Sequence, residues 1–161
     1  MDLQFRQLCP LQTLNPLSEL CGLMLLPAEI ESKTLIPALR AILAKKLAED
    51  HNIREDEISK MLGVTQAAIS NYIRGTRGDP SLIAKLLAEK QVSALIDELT
   101  DHLSSDKAYT PSSLSKFIGL CNYIKSSLLI CEIHHNLESN IDEKICKECE
   151  NMLLKGPGSV Y

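Results

Sequence analysis

Two groups of residues have the types and spacing to do chemistry. Near the C-terminus, Cys131-Glu132-Ile133-His134 and Cys146-Lys147-Glu148-Cys149 form a C-x2-H pair and a C-x2-C pair, separated by eleven residues. Positions i and i+3 share a helical face, and the loop between the pairs can fold Cys131, His134, Cys146 and Cys149 onto one ion. Thiolates with an imidazole suit zinc and an iron–sulfur cluster equally, so both cofactors stay open. Zinc would make the site a structural clip, and a cluster would make it a sensor of oxidation or iron–sulfur status. His135 is the competing histidine. The plainer readings are that Cys131 and Cys146 are small buried residues, or that Cys146 and Cys149 form a redox disulfide. If 111–137 is one helix, Cys121 stands about 15 Å from Cys131 along the axis and cannot share its ion. It joins the set only if the helix breaks near Ser126-Ser127. Cys9 and Cys21 are expected to be buried or incidental, with a ligand role left open.

The second group lies mid-chain, from Glu55 to Gly75. Ile58, Leu62 and Ile69 are spaced to lock two short helices together, and Gly63 stands where the chain needs a left-handed turn. Thr65 caps the second helix. Gln66, Ala67, Ser70, Asn71 and Arg74 then fall on or near its outward face. Such a helix suits the major groove, because Gln and Asn can make two hydrogen bonds to adenine and Arg can do so to guanine. Gln66 is the first base-reading candidate, with Ser70 and Asn71 next, while small Ala67 and Ala68 permit close approach. Thr65, Arg74 and Arg77 are placed for phosphates, with Lys45, Lys46 and Lys60 as weaker additions. The plain alternative is a two-helix corner inside an ordinary helical core.

Leu35-Ile-Pro37-Ala-Leu-Arg40, Leu62-Gly-Val-Thr-Gln-Ala-Ala-Ile-Ser70-Asn-Tyr and Arg74-Gly-Thr-Arg77-Gly78 resemble archaeal Xre-type helix-turn-helix transcriptional regulators over roughly residues 28 to 90. The resemblance implies a lambda-repressor-like DNA-binding domain. Two departures stand out: Ser59 replaces the usual Ala between the helices, and Arg54 replaces a capping Ser or Thr, a role that Asn52 is left to fill. Domains of this type are fused to thiamine-phosphate synthase modules in some regulators, but the 71 residues after Lys90 are too few for that module. The late cysteine pairs are similar, more weakly, to the C-x2-C pairs of some short archaeal Xre-type regulators, with His134 in place of one Cys.

The elements that must position these residues follow from composition and periodicity. With 45% hydrophobic residues but only two Phe, four Tyr and no Trp, the 161-residue chain suits aliphatic helix packing, so an all-α fold is expected. Residues 1–32 read as an N-terminal helical extension, 33–103 as the DNA-binding domain, and 111–155 as a C-terminal helical Cys/His segment for metal binding or dimerisation. Helices are expected from Thr34 to about Asp50, with Pro37 in the first turn. The next runs from Asp79-Pro80 through an apolar stripe ending at Leu103, with Leu82, Ile83, Leu86 and Leu87 inward. Further helices should run from Pro111 to about Leu137 and from Asp142 to Leu154, ending at Gly156-Pro157-Gly158. The stripe Val92, Leu95, Ile96, Leu99, Leu103 reads as core or as a dimer seam.

A net charge of −4 argues against holding nucleic acid by bulk electrostatics, yet residues 33–90 carry +3 against −3 before and −4 after, so a DNA contact belongs to the middle. The short apolar run Leu20 to Ala28 is a poor signal peptide, with Arg6 the only early cation, and no run nears the roughly 20 residues that span a bilayer. A cytoplasmic location is expected, where cysteines more often serve metals or redox chemistry than structural disulfides. The histidines have no paired carboxylate or nucleophile at informative spacing and no phosphate-cradling Gly loop is present, so an enzyme is not expected. The reading is a sequence-specific, homodimeric DNA-binding regulator with a sensing Cys/His site. The competing reading is a helical adaptor with a structural zinc clip.

Overall fold

The computed structural model of the chain describes residues 25–138 and 141–155. Cys9, Cys21, most of the N-terminal extension and the Gly156-Pro157-Gly158 stop lie outside the described residues. Among the described residues, every regular element is helical, as the aliphatic composition leads one to expect.

The first helical rod begins earlier than its periodicity suggests. Helix α1 (Pro27–Ile30) passes into a π-helical stretch, Glu31–Leu35, and straight on into α2 (Ile36–Glu49). Pro37 accounts for the widened turn. It has no N–H, and its ring would strike the carbonyl four residues back in a regular helix. In the π turn the Ile36 N–H bonds to the Glu31 carbonyl instead, so the rod continues through the proline rather than starting at it.

Helices α3 (Glu55–Leu62) and α4 (Gln66–Ile73) follow, then α5 (Pro80–Ala88) and α6 (Lys90–Asp106). The Asp79 carboxylate caps α5 by accepting from the Leu82 N–H at 2.8 Å. The expected single helix across this region is two, because Glu89 takes an extended ψ of 110°. Leu82 and Leu86 point inward, whereas Leu87 is 38% exposed, contrary to expectation. Val92, Ile96, Leu99 and Leu103 are buried within the chain itself, so the apolar stripe of α6 is core and is not left for a dimer seam.

The region expected as one helix from Pro111 to Leu137 is also divided, into α7 (Pro111–Ser126) and α8 (Leu129–Leu137). Thr110 caps α7 reciprocally with Ser113. At its far end the Ser126 and Ser127 hydroxyls donate to the Tyr123 and Ile124 carbonyls, offering the backbone an alternative to the helical ladder. Leu128 then turns left-handed, φ 61°, and Ile130 of α8 is driven into the core. Helix α9 (Glu143–Lys155) comes last.

Helix α2 sits at the centre. It packs against α3, α4, α5 and α6, while α7 lies on α6, α8 bridges α7 and α1, and α9 reaches only α7 among the stronger contacts. Seven of its residues, among them Leu39, Leu43 and Leu47, are buried.

Two glycines test the backbone requirements separately. Gly63 has φ +63° with open space where a Cβ would go, whereas at Gly78, φ +94°, a Cβ would stand 3.1 Å from Ala41 Cβ and 3.3 Å from Ile83 Cδ1. Gly63→Ala should therefore cost only the left-handed strain, about 1–2 kcal/mol. Gly78→Ala should cost more, because α5 must also shift off α2. Urea unfolding of both variants measures the difference, and equal costs would contradict this packing.

Candidate nucleic-acid interface

The α3–α4 unit is built as its turn chemistry demands. Ile58 and Ile69 are fully buried and Leu62 nearly so. Gly63 ends α3 in the left-handed conformation, with the Val64 N–H closing back on the Ser59 carbonyl at 3.1 Å. The Thr65 hydroxyl accepts from the Ala68 N–H at 3.2 Å and so caps α4. The start of α3 differs from expectation. Asn52 is left-handed, φ 53°, and does not cap. Arg54 occupies the cap position without a side-chain hydrogen bond, and Glu55, Asp56 and Glu57 meet the positive end of the helix instead. Ser59 fits the helix contact half-buried, its hydroxyl donating to the Asp56 carbonyl.

Packing divides α4 into two faces. Ala68, Ile69 and Tyr72 turn inward, whereas Thr65, Gln66, Ala67, Asn71 and Arg74 are exposed and Ser70 is half-buried. Gln66 makes no side-chain hydrogen bond among the described residues, so its amide is free to bond a base edge. Asn71 is partly engaged, its side-chain and main-chain oxygens accepting from the Thr76 hydroxyl at 3.4 and 3.1 Å. Arg74 folds back along the helix, Nε donating to the Ser70 carbonyl at 3.2 Å. The guanidinium of exposed Arg77 stands 5.2 Å from the centre of the Tyr72 ring, a cation–π contact that holds it beside the end of α4.

Residues 45–88 match the Helix-turn-helix family model. The match runs from late α2 to the last residue of α5 and supports DNA binding by this head. Comparison with curated proteins and with solved structures gives no match. The weaker cationic candidates divide around the helix-turn-helix. Lys45 and Lys60 are exposed and without a carboxylate partner among the described residues, but Lys46 is turned to α6. Its ammonium lies 2.9 Å from Asp97, and that hydrogen bond raises its pKa above the ordinary lysine value.

The cysteine segment lies outside the matched residues. Cys121, Cys131, Cys146 and Cys149 are all free thiols, with no Cys146–Cys149 disulfide. The helix does break near Ser126-Ser127, yet Cys121 stays 4% exposed and within reach of Glu31, so it does not join the later cysteines. Burial, and then the thiolates of Cys149 and Cys146, push Cys131 above the usual thiol range. Burial and Cys146 do the same to Cys149. Cys131 therefore lies within electrostatic range of Cys146 and Cys149. The histidine that reaches Cys146 is His135, not His134: His135 Nε2 stands 3.4 Å from Cys146 Sγ. His134 Nε2 is 3.1 Å from Glu138, whose carboxylate also accepts from the Leu25 N–H. Among the described residues no three Cys, His, Asp or Glu side chains stand together at metal-ligand distances. Nor is any described helix long and apolar enough to cross a membrane.

The position of Cys121 carries its own test. Burial pushes its pKa from 9.0 up to about 12, with the Glu31 charge adding to the shift. The folded state thus favours the protonated thiol. Its contribution to stability is complete below pH 9 and is lost as pH rises from 9 through about 12. Iodoacetamide at pH 8 should leave the Cys121 peptide unlabelled under folding conditions and label it in urea. Labelling of native protein at the rate of a free thiol would show the site to be open.

Proposed function

We propose that the chain is a sequence-specific DNA-binding transcriptional regulator whose α4 reads the major groove. The observation that carries this reading is the exposed row on α4, with Gln66 unengaged and Ala67 small beside it, on a helix whose opposite face is locked into the core. Gln66 reads adenine, Ser70 and Asn71 extend the readout, and Thr65, Arg74 and Arg77 meet phosphates. Asn71 must release Thr76, and Arg74 must release the Ser70 carbonyl, to reach DNA. Arg77 is already held in place by Tyr72.

Site selection from a random duplex pool followed by competition binding tests it. Gln66→Ala and Asn71→Ala should each lose about 1–3 kcal/mol of discrimination at one base position, whereas Arg77→Ala should weaken all sequences alike and lower the salt slope by about 1. Unchanged selectivity in Gln66→Ala would remove the assigned reading role.

The finer reading is a homodimer, because one recognition helix covers too few base pairs to select a genomic site. With the α6 stripe buried, pairing falls to exposed apolar residues, of which α9 carries three, Ile145, Met152 and Leu154, more than any other described helix. Sedimentation should show a dimer that Met152→Glu converts to monomer, and a native chain that stays monomeric with and without operator DNA would exclude pairing. For the cofactor, the proposed donors are Cys131, Cys146 and Cys149 with a histidine, and the Cys146–His135 contact favours His135 over His134, though these side chains must draw together to hold an ion. When bound, zinc would clip α8 to α9, and an iron–sulfur cluster would make that junction responsive to oxidants. Metal analysis and an absorption spectrum of anaerobically purified protein separate the two. Colourless, metal-free protein would leave the junction as simple thiols.

A further inference from the structure

Between the helix-turn-helix and the C-terminal helices runs a groove that none of these roles uses. Its volume is about 300 Å³, with Met61 and Leu62 of α3, Leu99 and Leu103 of α6 and Phe117 of α7 among its walls. That volume lies at the lower end of small-molecule sites. At interior packing density it accepts about a dozen non-hydrogen atoms.

The charges on the groove are few. Among the described residues, Glu31, Arg40 and Lys125 are the only carboxylate or basic groups lining it. Glu31 and Lys125 neutralise each other at 2.9 Å. Half-buried Arg40 has no carboxylate partner among the described residues, which leaves one net positive charge beside an apolar trough. The Cys121 thiol, also on the wall, is held protonated and adds no negative charge. The hydroxyl of Ser113 is already spent on the Thr110 carbonyl.

We infer that this groove binds a small monocarboxylate with an apolar body of about ten carbons, its carboxylate on Arg40 and its body between α3, α6 and α7. A guanidinium pairs a carboxylate through two parallel hydrogen bonds, and a single cation matches a single negative charge better than a phosphate. The concave shape favours a small molecule over the flat face of a second copy. Such a ligand would touch the last turn of α3, the first helix of the helix-turn-helix, and α7 at once. The inference stands apart from the DNA reading, since neither Arg40 nor the groove belongs to the α4 face.

The test is titration calorimetry of the full chain with decanoate, kept below its micellar range, and with neutral decanamide. Saturable one-to-one binding of decanoate is expected, with decanamide roughly tenfold weaker or worse. Arg40→Gln should weaken decanoate by a similar factor and leave decanamide unchanged. Arg40 is half-buried, so a thermal melt must show that this variant folds. Ile118→Trp provides a second route: Ile118 lines the groove but is 48% exposed, so an indole there fills the trough without disturbing the core. It should abolish binding of both ligands. Absence of saturable decanoate binding to the native chain, equal affinity for acid and amide, or binding that survives Ile118→Trp would each overturn the proposal. The last outcome would place the ligand outside the groove.

Discussion

A helix with a narrow apolar stripe needs one neighbour; α2 needs four. Ala38, Leu39, Ala41, Ile42, Leu43, Ala44 and Leu47 take up most of its circumference, and no single partner could cover them. Helices α3, α4, α5 and α6 must all close on this rod before its apolar surface leaves water. Each buried Leu or Ile contributes roughly 1.5–3 kcal/mol, so the arrangement of the head follows from covering α2. The same burial settles which way α4 faces. Ala68, Ile69 and Tyr72 are drawn inward, and Gln66, Asn71 and Arg74 are left facing solvent because nothing remains for them to cover.

The breaks between helices have two kinds of cause. At Thr65, Asp79 and Thr110 a side-chain oxygen meets a backbone N–H three residues on, and the cap can be read in advance from residue type. At Glu89 and Leu128 no cap announces the break. Leu128 accepts a left-handed backbone because α8 must turn to bury Ile130, a gain of the order of a buried aliphatic side chain against strain of about 1–2 kcal/mol. Propensity alone would have continued the helix through Glu89, whereas at the second break the Ser126 and Ser127 hydroxyls loosen the helix locally and the burial of Ile130 completes the turn.

Charge is distributed by the same tertiary logic. The chain is acidic on both sides of a basic middle, and the flanks do more than surround it. Glu31, Asp97, Glu98 and Glu132 pair with Lys125, Lys46, Lys116 and Lys85. Two of those pairs, Lys46–Asp97 and Lys85–Glu132, draw cations of the middle segment onto later helices. Lys45, Lys60, Arg74 and Arg77 remain exposed without carboxylate partners among the described residues. A net acidic protein can thus still expose unpaired cations on and around its helix-turn-helix. The exposed pairs themselves add little stability; their effect is to decide which cations stay available.

The helix-turn-helix was legible in the linear chain because each of its requirements is local. Gly63 supplies a left-handed turn, Thr65 a cap and Ile58, Leu62 and Ile69 a spacing, and all lie within fifteen residues of one another. The all-helical class was equally legible from aliphatic periodicity. Partner choice was not. Whether the α6 stripe met its own chain or a second one, and whether Lys46 stayed free or met Asp97, depend on residues far apart in sequence, and whether His134 or His135 turned to Cys146 depends on how α8 meets α9. His134 is taken by Glu138 one turn on, a pairing that i,i+4 spacing permits, but Glu138 is itself tied to Leu25 over 113 positions, and that link exists only in the folded chain. Residue type and spacing determined which helices form and where a groove reader would stand. Only the packing around α2 decided which side chains stayed free, because a contact excludes every rival for the same atoms and those rivals meet only in the folded chain.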